Sequence, residues 1–84
     1  MSTGEASVSI VKVLGKGCHN CRATVRLIQE VAAAAGAEVA VEKVEEMQDI
    51  ASYGILSTPG VVIDGKVVHA GGIPSREKVE GWFR

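Results

Sequence analysis

Two thiols hold the chemistry this sequence can offer. Cys18 and Cys21 are the only cysteines among 84 residues, and His19 and Asn20 lie between them. That spacing suits a dithiol–disulfide couple, or two ligands of a four-thiolate metal or cluster site, or a pair of small buried residues with no role. The neighbours weigh among these. The stretch "VSIVKVL" (8–14) is rich in β-branched residues and ends at Gly15-Lys16-Gly17. From Cys18 to Ala35 the apolar positions Cys21, Val25, Ile28, Val31, Ala32 and Ala35 fall at steps of three and four, the stripe of a helix. Cys18 therefore stands after a strand, at a helix start.

Helix N-termini expose unpaired N–H groups and a partial positive charge, which stabilise a thiolate. A free cysteine titrates at about 8.5, and sites of this kind bring it to about 7 or below. Cys18 is then the attacking thiol. Cys21 lies one helical turn along, about 4.5 Å up the axis, near enough to displace a mixed disulfide formed on Cys18. Spacing and context together favour a redox couple over metal binding. The pair supplies only two of the four ligands that a closed site needs, so a metal or iron–sulfur carrier would have to join the motifs of two chains. A redox couple needs no bound cofactor, because the thiols carry the electrons.

The elements that must hold this pair follow from the rest of the chain. "AEVAVEKV" (37–44) alternates and reads as a strand, and Gly36 suits the C′ position of the preceding helix. In "EEMQDIASYG", Met47, Ile50 and Ala51 give a short helix stopped at Gly54. "GVVID" and "KVVHA" are strands around Asp64-Gly65, a tight-hairpin signal. "PSREKVEGWFR" closes the chain as a helix with Ser75 as N-cap and Val79, Trp82 and Phe83 on its inner stripe. The expected fold is α/β, in the order β-α-β-α-β-β-α. Its first two strands are parallel and its last two antiparallel, in a mixed four-stranded sheet covered by three helices. The first strand, nearly continuous in its apolar character, should be covered on both faces. Residues 8–84 form one domain, and 1–7 a loose, polar N-terminal tail.

Composition narrows the partners. A net charge of −1 gives no basic footprint for nucleic acid and no electrostatic pull toward an anionic membrane. Apolar residues make up 46% and charged residues 23%, ordinary for a soluble globular chain. The N-terminal "MSTGEAS" has neither the basic nor the apolar region of a signal peptide, so the expected location is the cytoplasm. Disulfides in that compartment are usually transient and catalytic.

Two motifs, "GKGCHNC" (15–21) and "YGILSTPGVVIDGKVV" (53–68), resemble the thioredoxin superfamily. The likeness spans 8–84 and is greatest to the small, glutaredoxin-sized, thioredoxin-like redox-active disulfide proteins of bacteria and archaea. It implies a thioredoxin-like fold, an exposed Cys18 and a buried Cys21. It implies that Pro59 is a cis-proline facing the thiols and that the backbone of Thr58 pairs with an extended substrate. Three positions depart from the thioredoxin pattern. Gly17 stands where that pattern has Trp, and His19-Asn20 where it has Gly-Pro. Lys12 stands where it has a buried Asp that handles protons for the resolving thiol. Proton transfer to Cys21 then needs another route, and Lys12 reads as a solvated or snorkelling strand lysine.

Other residues near the pair are candidates for tuning it. A positive His19 would favour the Cys18 thiolate, while the helix start disfavours that positive charge. Lys16 could favour the thiolate or an anionic substrate. His69 reads as structural or exposed. Gly71-Gly72 resembles the double glycine that helps glutaredoxins hold glutathione, or is a tight passage into the last helix. The function expected is a monomeric thiol–disulfide oxidoreductase that reduces disulfide-containing substrate proteins. An upstream reductase of the thioredoxin-reductase kind would restore the dithiol. Glutathione-dependent, glutaredoxin-like activity is the alternative within the same chemistry.

Overall fold

The computed structural model describes residues 9–17, 19–55 and 57–83. Cys18, Leu56, Arg84 and the expected N-terminal tail lie outside the described residues. The elements run β1 (Ser9–Leu14), α1 (His19–Ala34), β2 (Val39–Val44), α2 (Met47–Ser52), β3 (Gly60–Ile63), β4 (Lys66–Ala70) and α3 (Arg76–Trp82). The sheet order is β2-β1-β3-β4. β1 is parallel to β2 and antiparallel to β3, and β3 is antiparallel to β4. This is the mixed four-stranded sheet with three helices that the sequence predicts.

Local chemistry explains the boundaries. α1 ends in a Schellman arrangement: Ala37 N–H donates to Ala32 O (2.9 Å) and Gly36 N–H to Ala33 O (3.2 Å), with Gly36 at φ 71°. Ser75 caps α3, its Oγ accepting from Lys78 N–H at 3.1 Å. The β3–β4 turn is built by Asp64 and Gly65. Asp64 also ties the turn to β1, for its Oδ1 accepts from Ile10 N–H (3.0 Å) and its own N–H donates to Ile10 O (2.9 Å).

The core lies in two parts. Val11, Val13 and Val61 pack with Ile28 and Val31 of α1 and Val79 of α3, with Trp82 and Phe83 half-buried at the margin. Leu14 and Val62 pack with Ile50 of α2, flanked by Val44, Tyr53 and Ile55. Alternation along β1 sends Val11 and Val13 to one face and Leu14 to the other. α1 and α3 thus cover one face, and α2 the other.

Two expectations need correction here. β1 is covered on both faces only at its C-terminal end. Ile10, on the α2 side, is 44% exposed, because the six residues of α2 reach only part of that face. Lys12, on the same side, is half-buried and reaches the Tyr53 hydroxyl at 3.4 Å. At the end of α1, Ala35 is exposed, because the chain has already begun its turn into Gly36. No helix among the described residues is long and apolar enough to cross a membrane.

This unequal coverage is measurable. Ile28→Ala, at a fully buried position, should lower unfolding free energy by about 3 kcal/mol through lost burial and a residual cavity. Ile10→Ala should cost at most about 1 kcal/mol, as at a surface site. Urea midpoints at constant m-value separate the two, and equal losses would contradict the described packing.

Candidate active site

β1 leads straight into the cysteine loop. Its last residue, Leu14, pairs with Val44 on one side and Gly60 on the other. Gly15 N–H extends the β2 pairing by donating to Val44 O at 2.9 Å. Gly15 is buried, and a Cβ at this position would run into Cys21 Sγ. The same point lies 3.7 Å from Thr58 Cβ. Gly15 therefore lets the sulfur of Cys21 rest on the strand end, with Thr58 at the other side. The next turn of chain is fastened from α1, as the Arg22 guanidinium donates to Gly17 O at 2.6 Å.

Cys21 is 4% exposed, as the resemblance implies for the second thiol. Behind it, Thr24 is fully buried and satisfies its hydroxyl by donating to Asn20 O at 2.8 Å. An apolar-stripe reading passes over Thr24, although its place three residues after Cys21 puts it on the inner face.

Opposite Gly15, the register of β1 and β3 brings up the segment before Gly60. The Thr58–Pro59 bond is cis, with Pro59 buried and Thr58 exposed. The β3–β4 ladder continues past its last strand pair, for Gly71 N–H donates to Pro59 O at 2.9 Å. Gly71 and Gly72 both have positive φ (88° and 71°), which explains the paired glycines as a tight passage. A Cβ on Gly71 would lie 3.1 Å from Ser57 Cβ, so this turn lies close to the proline segment and leaves little room for a side chain there. His69 braces it: one ring nitrogen meets Gly72 O at 2.9 Å and the other meets Lys78 Nζ at 2.8 Å. With Trp82 tilted against its ring at 6.4 Å, His69 has the structural place expected of it.

The structure thus gathers Cys21, Thr58, Pro59 and the double glycine around the end of β1. Among the described residues, His19 and Lys16 lie outside this group. His19 is exposed and borders a depression along α1 with Arg22, Arg26 and Glu30. Lys16 is exposed on the loop. Cys18, the expected nucleophile, lies outside the described residues, immediately before the first residue of α1.

The model of the thioredoxin domain family matches residues 10–84. The chain belongs to that family. Among similar proteins, a thioredoxin of Methanothermobacter thermautotrophicus is 29% identical over 70 residues, 83% of this chain and 91% of the relative. A thioredoxin of Methanocaldococcus jannaschii is 30% identical over 71 residues, 84% of this chain and 81% of the relative. Among solved structures, thioredoxin-2 of the malaria parasite superposes with a TM-score of 0.63 at 14% identity. That superposition covers 96% of this chain and 85% of the other, and it speaks for the fold. A thioredoxin-like redox function follows from the family and the two archaeal relatives.

The Gly15 contact gives a prediction with a built-in contrast. Gly15→Ala must displace the Cys21 sulfur, and overpacking of this kind costs about 1–3 kcal/mol. Gly81→Ala adds a methyl inside α3 where nothing lies within 4 Å, and should stabilise by up to about 1 kcal/mol. Thermal and urea unfolding of the reduced proteins should therefore move in opposite directions. A neutral Gly15→Ala would contradict the close approach of sulfur and backbone.

Proposed function

We propose that this chain is a thiol–disulfide oxidoreductase that reduces protein disulfides through the Cys18/Cys21 dithiol. The observation that carries the reading is the burial of Cys21 against Gly15, next to Thr58 and Pro59 and three residues after the other thiol. In exchange chemistry a thiolate attacks one sulfur of a disulfide and the other sulfur leaves. Cys18 makes the first attack and forms a mixed disulfide with the substrate. Cys21 then attacks the Cys18 sulfur, closing the intramolecular disulfide and releasing the reduced substrate. A resolving thiol that is buried and held by packing reacts with the sulfur beside it in preference to solutes.

The exposed Thr58 supports a role for its backbone in pairing with an extended substrate segment, while the buried Pro59 shapes the groove floor. An upstream reductase of the thioredoxin-reductase kind returns electrons to the disulfide, in the reducing cytoplasm. His19 and Lys16, both exposed, would act on Cys18 through charge. Gly72, exposed on the turn that Gly71 joins to Pro59 O, supports a second reading in which that backbone holds glutathione. Turnover with glutathione and glutathione reductase, set against turnover of an insulin disulfide, ranks the two.

The division of labour is tested by trapping. Cys21→Ser keeps the nucleophile and loses the resolving thiol, so it should accumulate mixed disulfides with proteins of a lysate. These would appear as higher-mass bands that dithiothreitol removes. Cys18→Ser keeps only the buried thiol and should trap little. The reverse pattern would exchange the two roles. Loss of a bound metal in both variants, with no trapping in either, would replace the oxidoreductase by a metal carrier.

A further inference from the structure

Cys21 must lose its proton before its sulfur can attack, because the thiolate is the nucleophile. At 4% exposure the side chain meets little bulk water. A cavity of about 10 Å³ adjoins it, bordered by Gly15, Gly17, Arg22, Lys43 and Glu45. That is about the space one water molecule needs.

The sheet register explains why Glu45 is there. Leu14 pairs with Val44, and Gly15 N–H bonds to Val44 O, so the next residue of that chain, Glu45, comes up beside Gly15. Its Oε2 reaches over the loop to 3.3 Å from where a Cβ of Gly17 would stand. Of the three charged side chains on the cavity, a guanidinium and an ammonium only donate, and the carboxylate accepts. Lys12 is engaged elsewhere, at Tyr53. Alternation along β1 puts it on the face opposite Val13, which borders the cavity.

The geometry points to Glu45 as the proton acceptor for Cys21, working through one water in this cavity. This rests on the exchange reading of Cys18 and Cys21 given above. With the substrate sulfur held on Cys18, the Cys21 S–H gives its proton to the water, and the water passes a proton to the Glu45 carboxylate. The Cys21 thiolate attacks Cys18 Sγ. The Cys18–Cys21 bond forms as the bond to the substrate sulfur breaks. The electron pair leaves with the substrate thiolate, which takes a proton from solvent. Two electrons have passed from the dithiol to the substrate, and Glu45 returns its proton to solvent.

A carboxylate near a thiol has a second effect of opposite sign: its charge disfavours the thiolate. Glu45→Gln decides between them, since loss of the acceptor slows resolution and loss of the charge speeds it. The measurement is a single turnover of the reduced protein with a chromogenic aromatic disulfide. One equivalent of aromatic thiolate is released on attack by Cys18 and a second on resolution by Cys21. E45Q should slow the second phase about tenfold near neutral pH. This is below the usual general-base range of about 10²–10⁴ because a water intervenes. The deficit should close as pH rises and hydroxide removes the proton directly, and Glu45→Asp should recover part of the rate. Glu46→Gln, at a carboxylate that does not border the cavity, should resolve at the unaltered rate. A second phase in E45Q as fast as the unaltered protein's, or faster, overturns the assignment. Absence of any second phase in the unaltered protein overturns the exchange couple itself, so the two failures are distinguishable.

Discussion

The site depends on one close approach, that of the Cys21 sulfur to the backbone of Gly15. A strand end with any side chain at that position would hold the helix off. The sulfur could then not lie at the point where β1, the loop before Gly60 and the end of β2 converge. Burial of Cys21 follows from this contact, and so does its separation from the solutes that would oxidise or alkylate an exposed thiol.

Everything else around the sulfur is delivered by register. β1 is central, with β2 on one side and β3 on the other. Leu14 pairs at once with Val44 and with Gly60, so the residues just beyond the ladder, Glu45 and Pro59, flank Gly15 from opposite sides. The β3–β4 ladder then carries Gly71 onto the carbonyl of Pro59. Segments far apart in sequence meet at one end of the sheet because the hydrogen-bond pattern leaves them nowhere else to go. A one-residue slip of β3 would exchange Val61 and Val62 between the two halves of the core and move Pro59 away from Gly15. The core that pins the register therefore also holds the site.

Much of this was legible in the sequence where the signal is local. The cysteine spacing, the α1 stripe through Ile28 and Val31, the Asp64-Gly65 hairpin and the Ser75 cap each follow from residue types a few positions apart. The proline before β3 was visible, but its cis bond came from the family likeness and not from composition. What could not be read depends on tertiary contacts. Ile10 looks like a core residue of a buried strand, yet it is exposed because α2 is too short to cover it. Gly15 looks like one more loop glycine until the helix packs on it. Glu45 is an exposed acid in sequence and structure alike, and only the β1–β2 register shows that it borders the cavity beside the sulfur. Lys12, conspicuous as a charge in an apolar strand, turns toward Tyr53.

The central claim is that Cys18 and Cys21 interconvert as one dithiol–disulfide couple. Equilibration of the protein in a series of thiol redox buffers, with free thiols and intact mass counted at each step, tests it most directly. Both thiols should disappear together in a single two-electron transition of the monomer, with the loss of two hydrogens. The midpoint should lie in the range of roughly −270 to −120 mV spanned by proteins of this chemistry. Thiols that persist under mildly oxidising buffer, or that are lost only by linking two chains, would contradict the account.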